Sequence, residues 1–196
     1  MIKTFDSLLN FEINFIIYIQ KLFNGPEQNL NLIKIGKIFT NNQLQSKLII
    51  YSVILNLLIN FHEYDSNLIL IFTTIYNYSK INFILYLSKY INYKIKNCFK
   101  ISRPYLENNK IENVTIKKDK SKSYSFPSNS IQNSFVFYSS ILELVIPNSN
   151  LIYYLVYGII IMLGIIKTIR GLHYLHDIIS GLIIANIILA AYLRFM

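Results

Sequence analysis

Gly171-Leu172-His173-Tyr174-Leu175-His176-Asp177-Ile178-Ile179-Ser180-Gly181 joins two stretches, Leu151 to Ile166 and Ile178 to Leu193, that contain no charged residue. Polar and titratable groups are therefore confined to a short turn between two apolar segments. A helix that is apolar all round belongs in a core or in lipid. Hydrophobic residues make up 53% of the 196-residue chain and charged residues 15%, against about 25% charged in soluble domains. Mean hydropathy is +0.38. A soluble domain of this length would expose more charge than the chain owns, so lipid is the solvent the composition fits.

Outward from that turn the chain alternates between apolar runs and polar breaks. Upstream, Ile131 to Ile146 is apolar and stops at Pro147-Asn148. Near the N-terminus, Phe5 to Phe23 is amphipathic and short for a span, and ends at Asn24-Gly25-Pro26. Such a segment suits an interfacial helix. Glu12 interrupts it and no small-residue cleavage site follows, so it does not read as a signal peptide. Leu30 to Phe39 carries Lys34 and Lys37 and is ended or kinked at Thr40-Asn41-Asn42. Leu48 to Phe61 closes on His62-Glu63-Tyr64-Asp65, where His62 reads as interfacial. Leu68 to Tyr78 and Ile81 to Tyr93 are two short spans or one long tilted helix.

Lys94 to Lys122 reads as a solvated loop at a membrane face, with Lys94, Lys96, Lys100, Arg103, Lys110, Lys117, Lys118, Lys120 and Lys122. The net charge of +9 is concentrated between apolar runs, which suits anionic headgroups and not nucleic acid. The positive-inside rule places this loop in the cytoplasm. Cys98, the lone cysteine, makes no intramolecular disulfide and reads as a small buried hydrophobe. Together these features predict an all-α, polytopic transmembrane bundle of five or six spans. One membrane-embedded domain covers 1–196, with an interfacial or first-span segment over 1–45 and a motif-bearing region over 94–181.

Three polar clusters sit at segment ends. They are Lys96 with Arg103-Pro104, then Ser125-Phe126-Pro127-Ser128-Asn129-Ser130, then the turn from Gly171 to Gly181. Lysine and arginine bind phosphate, Arg as a planar fork and Lys as a point charge. Ser128 opens a predicted helix, where free N–H groups and the dipole favour an anion; it also reads as an ordinary N-cap. His173 and Asp177 are four apart and share a helix face. The carboxylate can hold one imidazole nitrogen and leave the other free to attack.

In this order and spacing the clusters resemble the tripartite signature of the type 2 phosphatidic acid phosphatases, a superfamily shared with vanadium haloperoxidases. Its pattern is K-x6-R-P, then P-S-G-H, then S-R-x5-H-x3-D. The resemblance runs from about Lys96 to Gly181. It implies that Lys96, Arg103, Ser128 and Asn129 bind phosphate, that His173 is the phosphorylated nucleophile and that Asp177 orients it. Neither metal nor cofactor is implied. The family arginine six residues before the nucleophile falls on Lys167, with Arg170 one turn later as a possible compensation. The family's proton-donating histidine falls on Ser130. A serine hydroxyl is a poor general acid, and His176 is the nearest other imidazole in sequence.

The implied function is an integral membrane lipid phosphatase in the cell (inner) membrane, although bacterial relatives often open this site to the outer face. The substrate would be a lipid phosphate or a polyprenyl pyrophosphate such as undecaprenyl pyrophosphate. Without the acid, activity should favour pyrophosphates, whose leaving phosphate is stable as an anion. Two alternatives are a pseudophosphatase that binds headgroups or proteins without turnover, and a transporter subunit or structural membrane protein.

Overall fold

A computed structural model describes residues 2–23, 30–60, 67–112, 124–146 and 149–194. Their helices are α1 (Ile2–Leu22), α2 (Leu30–Phe39), α3 (Asn42–Asn60), α4 (Asn67–Phe99), the single turn α5 (Pro104–Glu107), α6 (Asn129–Val145), α7 (Asn150–Ile169) and α8 (Leu175–Arg194). No strand occurs among the described residues. Residues 24–29, 61–66, 113–123 and 147–148, which include His62, Pro147-Asn148 and Lys117 to Lys122, lie outside them.

Helix α6 is the centre of the bundle. Every residue from Ile131 to Phe137 is buried, as expected of a helix surrounded on all sides. It packs against α8, α4, α7 and α3. Ile131, Phe135 and Val136 meet Ile84 of α4, Val156, Ile160 and Leu163 of α7, and Ala185, Ile188 and Leu189 of α8. The outer faces remain apolar, with Phe72, Phe83 and Tyr86 on α4, Tyr154 and Ile161 on α7, and Ile183 and Ile187 on α8 all exposed. An apolar exterior of that extent suits contact with lipid or protein.

Two short runs merge. Leu68 to Tyr78 and Ile81 to Tyr93 form the single 33-residue helix α4, since Ser79-Lys80 contains no helix breaker. At 1.5 Å per residue it is about 50 Å long, well beyond the roughly 30 Å of hydrocarbon in a bilayer. Lys94 and Lys96 therefore stand on its last turns and not in a loop, which corrects the expected start of the polar segment. Cys98, expected to be buried, is exposed on the same overhang. Among the described residues, the stretch Leu68–Glu107 and the helix Leu175–Arg194 are long and apolar enough to cross a membrane, and Tyr153–Ile169 is a shorter apolar helix. The central helix is 17 residues long, too short for that class, and carries Gln132, Asn133, Ser134, Ser139 and Ser140 inward.

Those polar groups clamp α6 to α4. Asn92 Nδ2 donates to Gln132 Oε1 (2.7 Å). Gln132 Nε2 donates to the Ser88 carbonyl (2.8 Å). Ser88 Oγ donates to Asn133 Oδ1 (2.7 Å) and Asn133 Nδ2 to Asn129 Oδ1 (2.7 Å). The amphipathic α1 is fastened by two polar residues. Gln20 Nε2 donates to the carbonyls of Ile169 (2.9 Å) and Glu112 (2.8 Å), and Gln20 Oε1 accepts from the Glu112 N–H (3.1 Å). Buried Glu12 accepts from the His176 N–H through Oε1 (3.0 Å) and from His176 Nδ1 through Oε2 (2.6 Å). A carboxylate at the first turn of α8 also complements that helix's dipole.

Gln132→Ala should leave the Asn92 amide without its buried acceptor and lower stability by about 1–3 kcal/mol, read as thermal unfolding in detergent; an unchanged transition would show the network to be dispensable. Glu12→Leu should cost about 1–3 kcal/mol, because it leaves a half-buried imidazole and a helix-terminal N–H without their acceptor. Chemical denaturation in micelles would measure it, and wild-type stability would contradict the clamp.

Candidate active site

The loop carrying His173 is shaped at both ends by backbone geometry. At the end of α7, the Gly171 N–H donates to the Thr168 carbonyl (2.9 Å) and the Leu172 N–H to the Lys167 carbonyl (3.1 Å). With Gly171 at φ +64, this is a Schellman termination. A β-carbon there would lie 2.7 Å from Ile111 Cγ2 and 2.8 Å from the Glu112 carbonyl, so glycine is required twice over, by conformation and by space. At the start of α8, Asp177 Oδ2 accepts the Tyr174 N–H (2.8 Å). That is the reach-back half of a capping box, with Tyr174 at the cap and Asp177 three residues in.

The same Oδ2 lies 3.4 Å from His173 Nδ1. An Nδ1–H donated in that direction leaves Nε2 with its lone pair. His173 is buried, and burial pushes its imidazole down to about 4. The Asp177 charge pulls the other way, while Arg103 and Lys167 reinforce the downward push. At neutral pH the ring is uncharged, as a nucleophile must be.

The three clusters converge on one end of the bundle. The Ser128 N–H donates to the Asp177 carbonyl (3.0 Å), so the start of α6 is docked on the start of α8. That docking needs Gly181, whose β-carbon would approach the Ser128 carbonyl to 2.9 Å. The Ser125 N–H and hydroxyl bond the carbonyls of Ile101 and Ser102, joining the second cluster to the first. Lys96 Nζ donates to the Tyr124 (2.7 Å) and Ser125 (3.0 Å) carbonyls. With three donors on an ammonium, one remains for a ligand. Arg103 Nη1 donates to the Leu172 carbonyl (3.3 Å), so the arginine is held against the loop that carries His173.

A cleft of about 610 Å³ opens here, lined by Lys37, Thr40, Lys89, Asn92, Tyr93, Lys96, Arg103, Asn129, Ser130, Lys167, Arg170, Leu172 and His173. Six of these side chains are cationic and none is acidic. Of the residues singled out in the sequence, Lys96, Arg103, Asn129, Ser130, Lys167 and His173 face this space, and Arg170 joins Lys167 there. Ser128 and Asp177 do not: both are completely buried behind the wall. Ser128 occupies the N-cap position of α6 without a side-chain cap bond, and its hydroxyl has no hydrogen-bond partner among the described residues.

His176 stands away from the cleft. Its ring is held by Glu12, stacks on Tyr174 at 5.2 Å with planes 10° apart, and contacts Phe126. Nε2 lies 3.3 Å from Asp177 Oδ1 but is not aligned for a hydrogen bond. It therefore has no path to replace the histidine absent at Ser130. Sequence reading missed Glu12, Lys37 and Lys89. The spacing of Lys89 and Lys96, seven residues apart and thus on one helix face, was the one available signal. Among the described residues no cluster of three His, Cys, Asp or Glu side chains offers a metal site.

The PAP2 superfamily model matches residues 77–196, a span that holds all three clusters. A search of curated proteins gives no match. The fold is similar to the crystal structure of a transmembrane PAP2-type phosphatidylglycerolphosphate phosphatase from Bacillus subtilis, with a TM-score of 0.54 at 13% identity over 95% of this chain and 94% of that one. That likeness extends through α1 and α2, which precede the family match, and shows the same all-α bundle fold. With the family model covering well over half its length, the chain belongs to the PAP2 superfamily.

Proposed function

We propose that this protein is an integral, multi-pass membrane lipid phosphatase of the cell (inner) membrane, acting on a lipid phosphate or polyprenyl pyrophosphate through a phosphohistidine. One domain over 1–196 carries the activity, and 94–181 supplies the core of its site. The observation behind this reading is a neutral imidazole that shares one cleft with Lys96, Arg103, Lys167 and Arg170. The cations attract a phosphate and offset its charge, and the uncharged His173 Nε2 keeps the lone pair that must attack it.

In the first step Nε2 bonds to phosphorus as the bond to the leaving oxygen breaks, and that oxygen keeps the electron pair. Asp177 holds Nδ1 and favours the positive charge that the ring acquires. Lys96, Arg103 and Lys167 neutralise the phosphoryl oxygens, with Arg170 beside them. Asn129 and the first free N–H groups of α6 add dipoles at the same place. Ser128 shapes that helix start from behind and does not reach the phosphate directly. Water then attacks the phosphohistidine, releasing inorganic phosphate and returning His173 to its neutral form.

A second reading, a pseudophosphatase that binds headgroups without turnover, rests on Ser130. The cleft contains no imidazole other than His173, and Glu12 retains His176 elsewhere. Phosphate release by purified protein in micelles, from phosphatidate, phosphatidylglycerophosphate and polyprenyl pyrophosphate, separates the two. Release from any of them supports the enzyme, and headgroup binding without release supports the alternative.

His173→Ala should abolish release while the protein stays folded, and Asp177→Asn should lower kcat by as much as about 10⁴-fold. Normal release from His173→Ala would remove the nucleophile assignment. The pH dependence follows from the lowered imidazole. A ring that protonates near 4 rather than 6.5 stays neutral, and reactive, well below the usual range. Carbethoxylation of His173 by diethyl pyrocarbonate, followed by mass spectrometry, should hold level from about pH 7 to about pH 5 and fall only below that. A midpoint near 6.5 would contradict the burial argument.

A further inference from the structure

The signature residues and Arg170 account for four of the six cations in the cleft. Lys37 of α2 and Lys89 of α4 remain. Neither forms an ion pair among the described residues, and no carboxylate lines the cleft beside them. Charged side chains in a membrane protein are tolerated chiefly where they face a wet cavity or a counter-charge. These two face the cavity, where a bound anion would supply their counter-charge.

Their position is set by the clamp between α4 and α6. Lys96 reaches the Tyr124 and Ser125 carbonyls, at the loop before α6. Lys89 lies seven residues earlier on the same helix face, about 10 Å along the axis. Its neighbours Ser88 and Asn92 bond Asn133 and Gln132. Lys89 is therefore level with the second turn of α6, past Ser130. Lys37 follows Gly36, where α2 comes so close to α7 that a β-carbon would lie 3.1 Å from Ile166 Cγ2. Lys37 thus enters the cleft alongside Lys167, the residue after Ile166. A volume of about 610 Å³ equals roughly twenty waters at about 30 Å³ each, far more than one phosphate fills.

We propose that Lys37 and Lys89 form a second anion subsite, beyond Ser130, that binds the inner phosphate of a diphosphate and stabilises it as the leaving group. The proposal rests on the phosphatase reading above and names its substrate class. His173 Nε2 bonds to the terminal phosphorus while the bridging P–O bond breaks. The electron pair stays on the bridging oxygen, which departs as part of a phosphate monoester anion facing two ammonium groups. No proton is required at that step. A simple lipid phosphomonoester would instead expel an alkoxide, which needs a proton that Ser130 is ill suited to give. Two cations past the missing acid and the missing acid itself therefore select the same substrate.

The test uses the full chain in detergent micelles, with Lys37→Met and Lys89→Met singly and together. Lys80→Met, whose lysine lies over Tyr76 away from the cleft, is the control. Turnover is measured on a polyprenyl diphosphate, the corresponding monophosphate and phosphatidate. Calorimetry measures binding of inorganic pyrophosphate and orthophosphate. The wild type should prefer the lipid diphosphate, and the double variant should lose about tenfold or more in kcat/KM on it. Both monoester rates should stay within about twofold, and pyrophosphate should bind about tenfold more weakly while orthophosphate is unaffected. Lys→Arg at both positions should retain the preference, which separates lost charge from lost folding. Equal losses on diphosphate and monoesters, or unchanged pyrophosphate affinity, would overturn the subsite. Lysine-dependent pyrophosphate binding without lipid turnover would keep the anion subsite, assign it to a soluble diphosphate ligand and reject the phosphatase reading. Turnover of all three lipids with no lysine-dependent preference would do the reverse.

Discussion

Asp177 is the group on which the site depends. It is completely buried, and its Oδ2 and backbone carbonyl meet three separate groups. Oδ2 takes the Tyr174 N–H and faces His173 Nδ1, Oδ1 lies near His176, and the backbone carbonyl takes the Ser128 N–H. One residue thereby starts α8, orients the His173 ring and docks α6 on α8. A buried carboxylate is costly unless hydrogen bonds and nearby positive charge compensate it. Here the compensation comes from the turn it organises and from the cations across the cleft, so the fold of the turn and the electrostatics of the site are one arrangement.

The rest of the bundle serves that turn from three sides. Gly171 releases the chain from α7 in a conformation other residues adopt poorly. Gly181 lets the start of α6 reach α8, and Arg103 ties the first cluster to the Leu172 carbonyl. From the fourth side α1, which lies before the family match, presents Glu12 to the His176 N–H and ring. The buried amides and hydroxyls between α4 and α6 fix the depth of Lys89 relative to Lys96. Polar contacts of this kind are worth modest energies in a membrane bundle, but they define register between helices that lipid alone would not align.

Much of this was legible in the sequence, for physical reasons. Apolar runs bounded by turn residues placed α2, α6, α7 and α8 closely, because each ends where Asn, Gly, Pro or charge interrupts the pattern. The three clusters were recognisable because phosphate chemistry needs those side chains in that order. What stayed hidden depended on contacts remote in sequence. Glu12 and His176 are 164 residues apart, and nothing local marks their pairing. Lys37 and Lys89 looked like ordinary lysines in apolar runs until helix packing turned them into one cleft. Ser128, expected to bind phosphate, is buried with its N–H docked on the Asp177 carbonyl, a contact 49 residues away that nothing local marks. Cys98 was expected inside, but α4 overshoots the apolar layer and carries it out.

The central claim is that His173 carries the phosphoryl group between substrate and water. Rapid mixing of the protein with a lipid phosphate or diphosphate labelled on its terminal phosphate, followed by an alkaline quench and peptide mass spectrometry, tests it most directly, since phosphohistidine survives base better than acid. The account predicts a phosphoryl group on Nε2 of His173 that appears and decays within the turnover time. Turnover with the label on another side chain, or with no phosphoenzyme under conditions that slow the second step, would contradict it.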